Sequence, residues 1–165
     1  MGDVGKIVQT AEDLTTAVRI PADAYVSPEY ALAERDRLWR KVWLQAGRLE
    51  DIAEVGSYIT FDIFDDSVII VRDAPDNINA IHNVCPHRGR KLVDVPAGKR
   101  NARGNRPNFI CGYHGWTFDL EGKNTYIQHD DDWNGKLCSG VADVGKVKVE
   151  TWGGWIWINL DPEAG

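Results

Sequence analysis

The sequence predicts a small all-β domain, an antiparallel sandwich or barrel with loops at its ends, preceded by one α-helix. Three observations lead there. The helix signal is confined to one early segment; beyond it, apolar residues recur at period two in short runs; and 16 glycines and 7 prolines are spread between those runs, the punctuation that many short strands need. At 165 residues the chain has the length of one ordinary domain and can bury a core without disulfide staples.

Taken in order, residues 1–22 are expected to form an extended arm, with the domain proper over 23–165. The helix should start at Ser27, an N-cap residue followed by Pro28 at the first helical position and Glu29 in the first turn. It is expected to run to about Val42, with Leu38 and Val42, and Trp39 and Trp43, forming an apolar stripe at i,i+4 spacing. Glu34, Arg35, Asp36, Arg37, Arg40 and Lys41 would face water or pair with one another. Period two then takes over. "SYITFDIF" (57–64) puts Ile59, Phe61 and Ile63 on one face, "DDS" turns the chain and "VIIVR" (68–72) returns it as a hairpin. "DAPDN" (73–77) makes the next turn and "INAIHNV" (78–84) the next strand. "FICGYHGWTFDLEGK" reads as strand, loop, strand and a turn at Glu121-Gly122, and "KVKVETWGGWIWINL" as two strands around Gly153-Gly154.

Charge and cysteine content narrow the function. With 19 basic and 25 acidic residues, a net charge of −6 and a pI near 5.2, the chain lacks the basic surplus of a nucleic-acid binder. Its first twenty residues carry Asp3, Glu12 and Asp13 and no apolar run of signal-peptide length. No stretch approaches a membrane span. Three cysteines, Cys85, Cys111 and Cys138, are an odd number without an export signal, which favours ligand or free thiols in a reducing compartment, the cytoplasm.

Four residues carry the chemistry. Cys85-x-His87 and Cys111-x-x-His114 each follow an expected strand and sit beside glycine, Gly89 in the first and Gly112 and Gly115 in the second. Two Cys and two His could hold a structural zinc. However, zinc knuckles usually pair cysteines, whereas here each loop offers one thiolate and one imidazole, a pattern that suits two metals with each loop touching both.

The two boxes, "CPHRG" and "CGYHGW", resemble those of Rieske [2Fe–2S] domains, in which two cysteines hold one iron and two histidines the other. The likeness extends over "SPEYALAERDRLWRKVWLQAGRLEDIAEVGSYITFDI", "IHNVCPHRGRKLV" and "WGGWIWINLDPEAG", which are similar to the amino-terminal part of α subunits of aromatic-ring-hydroxylating oxygenases. The linker between the boxes is longer than is common in that family, the excess falling in "PAGKRNARGNRPN". The resemblance implies a Rieske fold whose [2Fe–2S] cluster is held by Cys85, His87, Cys111 and His114, with Arg88, Gly89, Tyr113 and Trp116 around it. It implies one-electron transfer from a ferredoxin or flavin reductase to a mononuclear non-haem iron. That iron would lie in a catalytic domain of the same or a neighbouring subunit of a trimer, and this chain is expected to lack both that domain and any catalytic residue of its own. A free-standing Rieske ferredoxin is the alternative, and a zinc module the third.

Other residues read more plainly. His82 fits a structural histidine on its strand, His129 in "QHDDDW" a solvated turn, and Cys138 a free thiol. Trp116 is expected to cover the cluster. Between Pro86 and Ile110 seven basic residues (Arg88, Arg90, Lys91, Lys99, Arg100, Arg103, Arg106) face one acid, Asp94, a patch suited to steering an acidic redox partner.

Overall fold

Val68, Ile69, Ile70 and Val71 are each 0% exposed, and a strand buried on both faces needs a layer on each side of it. The computed structural model, which describes residues 20–134, 136–137 and 140–165, provides those layers as three antiparallel sheets. In chain order the strands are β1 (Leu44–Arg48), β2 (Ser57–Ile63), β3 (Asp66–Ala74), β4 (Asn77–His82), β5 (Arg103–Asn105), β6 (Phe109–Ile110), β7 (Thr117–Phe118), β8 (Asn124–Tyr126), β9 (Lys148–Trp152) and β10 (Trp155–Asn159). The central sheet has the order β4-β3-β2-β5, and the two flanking sheets β1-β10-β9 and β6-β7-β8.

Alternation along the central strands divides the apolar residues between two cores. Ile59, Val68, Ile70 and Ala80 pack with Leu44, Ile156 and Ile158 of the first flanking sheet. Tyr58, Ile69, Val71 and Ile81 pack with Phe109 and Phe118 of the second. Each fully buried aliphatic side chain contributes about 1.5–3 kcal/mol of apolar burial. The expected face of β2, Ile59 with Phe61 and Ile63, does belong to one core; Tyr58 and Thr60, on its other face, are buried as well.

The all-β expectation with a leading helix holds, and the local elements mostly fall where the pattern placed them. The β9–β10 hairpin turns on Gly153 and Gly154, at φ of 60° and 81°, the left-handed conformation that a tight two-residue hairpin asks for. Three details differ. The helical segment is α1 (Asp23–Val26), α2 (Pro28–Glu34) and one π turn over Arg35–Trp39, with no buried residue in any of them. Ser27 caps α2 as expected, its hydroxyl accepting from the Tyr30 N–H at 3.2 Å. But the helix stops before Val42 and Trp43, so no i,i+4 stripe runs through them, and Leu38 is 42% exposed. The π turn has a visible cause. Arg40 N–H donates to the Arg35 carbonyl five residues back at 3.0 Å, a widening that brings both guanidiniums to the β2–β3 turn, where Arg35 meets Asp65 at 2.8 Å and Arg40 meets Asp66 at 2.7 Å.

That hairpin turn is Phe64-Asp65 rather than "DDS", since Ile63 already pairs with Asp66 and Asp62 with Ser67. Phe64 takes the strained φ of 50°. Finally β4 ends at His82, so Asn83 and Val84 lie outside the strand. Residues 1–19 of the expected arm, and Cys138, lie outside the described residues.

Candidate metal centre

The two Cys/His boxes fold into loops of one design. In the first, the Cys85 N–H donates to the Arg90 carbonyl at 2.8 Å and the Gly89 N–H to the Cys85 carbonyl at 2.9 Å. In the second, the Cys111 N–H donates to the Trp116 carbonyl at 2.8 Å and the Gly115 N–H to the Cys111 carbonyl at 3.0 Å. Each loop therefore closes five residues after its cysteine and turns on a glycine four residues after it. Gly89 and Gly115 have φ of 73° and 70°, and a Cβ at either would meet nothing within 4 Å. Backbone conformation alone, not crowding, calls for glycine there.

The loops bring the four sequence-predicted side chains together as two pairs. Cys85 and Cys111 are 1% and 3% exposed, free of any disulfide, and their thiols lie within hydrogen-bonding reach of each other. Burial pushes the Cys85 thiol above its ordinary pKa; the His87 backbone N–H acts against this and the neighbouring Cys111 thiol adds to it. His87 and His114 lie outward of the thiols, with ring centroids 4.7 Å apart at 66°. Desolvation, then His114, then Arg88 hold His87 below its usual pKa. The shift favours the neutral imidazole, the form a metal requires.

Aromatic rings fix both imidazoles. Trp116, 7% exposed, stacks on His87 at 4.6 Å and 8°. Tyr113, exposed, stacks on His114 at 4.0 Å and 29°, and the Arg88 guanidinium lies over the Tyr113 ring at 5.8 Å. Of the residues expected around the cluster, Trp116 and Tyr113 lie against the imidazoles, Arg88 lies over Tyr113, and Gly89 forms the turn of the first loop.

The donor set fits a two-metal group. The Nδ1 atom of His114 is buried without a hydrogen-bond partner, an orphan that costs free energy unless something binds it. Among the described residues no three His, Cys, Asp or Glu side chains are grouped as a single ion would need. One pair of thiols and one pair of imidazoles is instead what two bridged irons require.

Sequence reasoning did not foresee part of the surroundings. The imidazole edges open into a cavity of ≈ 230 Å³, walled by Trp116, Gln128, His129 and Trp133. His129, read as part of a solvated turn, stands on this wall at a left-handed φ of 58° ahead of a short 3-10 helix, Asp130–Trp133. It is 3.3 Å from the Gln128 amide nitrogen. No periodicity or motif marks that segment. His82 sits on β4, its backbone N–H donating to the Gly145 carbonyl at 2.9 Å. Of the basic patch, Arg90, Lys91 and Arg103 are paired with Asp94, Asp62 and Asp51. Lys99 and Arg100 are exposed and make no ion pair among the described residues. Nor is any helix of the described residues long and apolar enough to cross a membrane.

Comparison with known proteins agrees with this geometry. The family model for the Rieske [2Fe-2S] domain matches residues 42–138. The carnitine monooxygenase oxygenase subunit of Escherichia coli (strain K12) is 30% identical over 145 residues, which are 88% of this chain and 37% of that protein. The α subunit of benzene 1,2-dioxygenase from Pseudomonas putida is also 30% identical, over 148 residues, 90% of this chain and 32% of its own length. Among solved structures, the apo form of the quaternary ammonium Rieske monooxygenase CntA superposes with a TM-score of 0.82 at 26% identity, covering 96% of this chain and 46% of that one. The chain thus spans less than half the length of each of these relatives.

Proposed function

We propose that this chain, which belongs to the Rieske [2Fe–2S] domain family, is the electron-transfer domain of a Rieske oxygenase, with Cys85 and Cys111 holding one iron of the cluster and His87 and His114 the other. One observation carries the assignment of ligands: two buried thiols side by side beneath two outward imidazoles, one of which has a buried Nδ1 with no protein partner. When bound, the cluster supplies one-electron oxidation and reduction. The residues of this chain hold and shield it. The two loop hydrogen-bond pairs fix the cysteines, Trp116 and Tyr113 hold the ring planes of the histidines, and the Phe109–Phe118 core below keeps water from the thiolates.

In the intact enzyme this domain would take single electrons from a ferredoxin or flavin reductase and deliver them to a mononuclear iron in a catalytic domain of the same or a neighbouring subunit. The similarity to oxygenase subunits favours this role over that of a free-standing ferredoxin. For the substrate we place a quaternary ammonium compound ahead of the aromatic ring expected from the sequence. CntA, which superposes over 96% of this chain, is named for such substrates, while the carnitine and benzene enzymes are equally identical to it.

Iron and acid-labile sulfide assays test the ligand assignment. Two irons and two sulfides per chain are expected, with a reduced-state EPR signal of mixed Cys/His ligation, and His87→Ala or His114→Ala should lose both. A colourless protein holding one zinc would refute it. Oxygen uptake by the full-length enzyme with its reductase, on carnitine or betaine against benzene, decides the substrate class.

A further inference from the structure

The two cluster loops share a design but not a support. The second caps a paired hairpin, Phe109 opposite Phe118 and Ile110 opposite Thr117. The first has no such ladder, because β4 ends at His82 and the next strand of the chain is β5, at Arg103. What closes its base is a side chain. Asn83, 1% exposed, accepts at Oδ1 from the N–H groups of Leu92 (3.0 Å) and Val93 (2.9 Å). Its Nδ2 donates to the Val93 carbonyl (2.7 Å) and to Ser67 Oγ on β3 (3.0 Å). Its own N–H donates to the Ser67 carbonyl at 2.8 Å.

A primary amide offers two donors and one oxygen with two lone pairs, and here all four are used. Toward Val93 it makes the reciprocal N–H···O and O···H–N pair that a residue in a partner strand would make. Asn83 lies two residues before Cys85, and Leu92 and Val93 lie just past the loop's exit, packed in the same core as Cys85, Cys111 and Trp116. The brace therefore grips both ends of the segment that carries Cys85 and His87.

We propose that Asn83 is a positioning residue for the cluster, replacing with one side-chain amide the strand pairing that supports the second loop. The inference rests on the reading that Cys85 and His87 are ligands. It acts through the loop backbone: without the amide two buried N–H groups and one carbonyl lose their partner, and the loop gains freedom to move the thiolate and imidazole away from their fixed separation from Cys111 and His114. Alanine fills none of the four bonding positions. Aspartate keeps the oxygen that receives Leu92 and Val93 but cannot donate to the Val93 carbonyl.

The test compares the cluster-loaded wild type with Asn83→Ala, Asn83→Asp and Ser67→Ala, following visible absorbance under excess EDTA and the EPR g-values of the reduced state. Asn83→Ala should release the cluster about 10–100-fold faster, the scale on which supports around metal ligands act, with shifted or broadened g-values. Asn83→Asp should fall between, and Ser67→Ala, which removes only one of the four bonds of the Asn83 amide together with the Ser67–Asp62 bond on the far side from the loop, should stay near wild type. Wild-type release and unchanged g-values in Asn83→Ala overturn the proposal, whatever its melting temperature. Should that variant fail to fold, hydrogen exchange of the wild-type chain decides. Leu92 and Val93 amides must be protected like those of the β6–β7 hairpin, and exchange at open-loop rates overturns the brace. A wild type that carries no cluster would instead refute the ligand assignment, leaving the exchange measurement to judge Asn83 separately.

Discussion

Truncating Trp116 separates packing from stacking at the site. The indole is 7% exposed, belongs to the core that contains Cys85, Cys111 and Phe109, and lies parallel to His87 at 4.6 Å. Removing a buried tryptophan to alanine costs about 3–5 kcal/mol, a large share of the roughly 5–15 kcal/mol that stabilises a domain. Of that, the ring-on-ring contact accounts for about 0.5–1.5 kcal/mol. Two further variants divide the total. Trp116→Phe keeps an aromatic face for His87, and Trp116→Leu keeps apolar volume without one, so Phe should exceed Leu in stability by the stacking increment alone. Urea unfolding of the apo-protein, followed by far-UV circular dichroism and extrapolated to water, gives all three numbers free of cluster loss. If Trp116→Ala unfolds within about 1 kcal/mol of wild type, a value typical of surface rather than core changes, the indole does not pack as described. If Phe and Leu are equal, the stack contributes nothing.

Other outcomes follow from the same geometry. Gly104→Ala would place a Cβ 2.9 Å from Tyr58 Oη and 3.0 Å from its ring; Tyr58 is held edge-to-face on Phe109 at 5.6 Å, so thermal unfolding should report an overpacking cost of about 1–3 kcal/mol, and an unchanged melting temperature would show that the ring can yield. Asp66→Asn should loosen the helix without touching the cluster, because Arg40 holds that carboxylate through two bonds, at 2.7 and 3.2 Å; faster proteolysis near residues 35–40 with an unaltered EPR spectrum is the expected pair of results. If the basic segment steers an acidic donor, Lys99 and Arg100, exposed and without an ion pair among the described residues, contribute to the effect. Reduction should then slow as ionic strength passes about 0.1 M, where the screening length is about 10 Å, and Lys99→Glu with Arg100→Glu should slow it at low salt; a flat salt response assigns the loop no role. The midpoint potential should lie near −150 mV, the low end of the Rieske range that reaches about +300 mV. With only Cys138 left outside the boxes no further cysteine pair can brace the loops, Trp116 has no hydroxyl to donate, and the Thr117 hydroxyl already donates to the Gly115 carbonyl at 3.1 Å; protein-film voltammetry reading above about +100 mV would refute this account of what sets the potential.

Strand content was legible because burial leaves a periodic trace. β2 alternates, and the unbroken run from Val68 to Val71 marks a strand covered on both sides. The sequence also shows the turn glycines, since a left-handed residue and a closing hairpin both favour them. The helix end was not legible. Its apolar residues keep i,i+4 spacing through Trp43, and only the positions of Asp65 and Asp66, thirty residues or so downstream, explain why the last turn widens and stops. Local propensity cannot report a constraint supplied by a distant hairpin. The Phe64-Asp65 turn was hidden for a related reason: phenylalanine at positive φ runs against every turn preference.

At the proposed metal centre the proposed ligands and their supports differ in how they are encoded. Cys85, His87, Cys111 and His114 are chemically distinctive residues at fixed spacing, so a coordination demand is readable from identity alone. Trp116 could be found because it adjoins a box. The brace could not: Asn83 lies two residues before Cys85, inside the stretch whose pattern reads as strand, and nothing in that pattern marks its amide as a support. Its role depends on Ser67, Leu92 and Val93 arriving around it, and two of those partners contribute only backbone atoms, which no sequence pattern specifies. The same holds for the wall from Gln128 to Trp133. A residue that binds a metal is selected for what its side chain is, whereas a residue that holds a loop is selected for which backbone groups would otherwise be buried alone. For this chain that places the proposed ligands within reach of the sequence, and the support of the first loop within reach only of the folded structure.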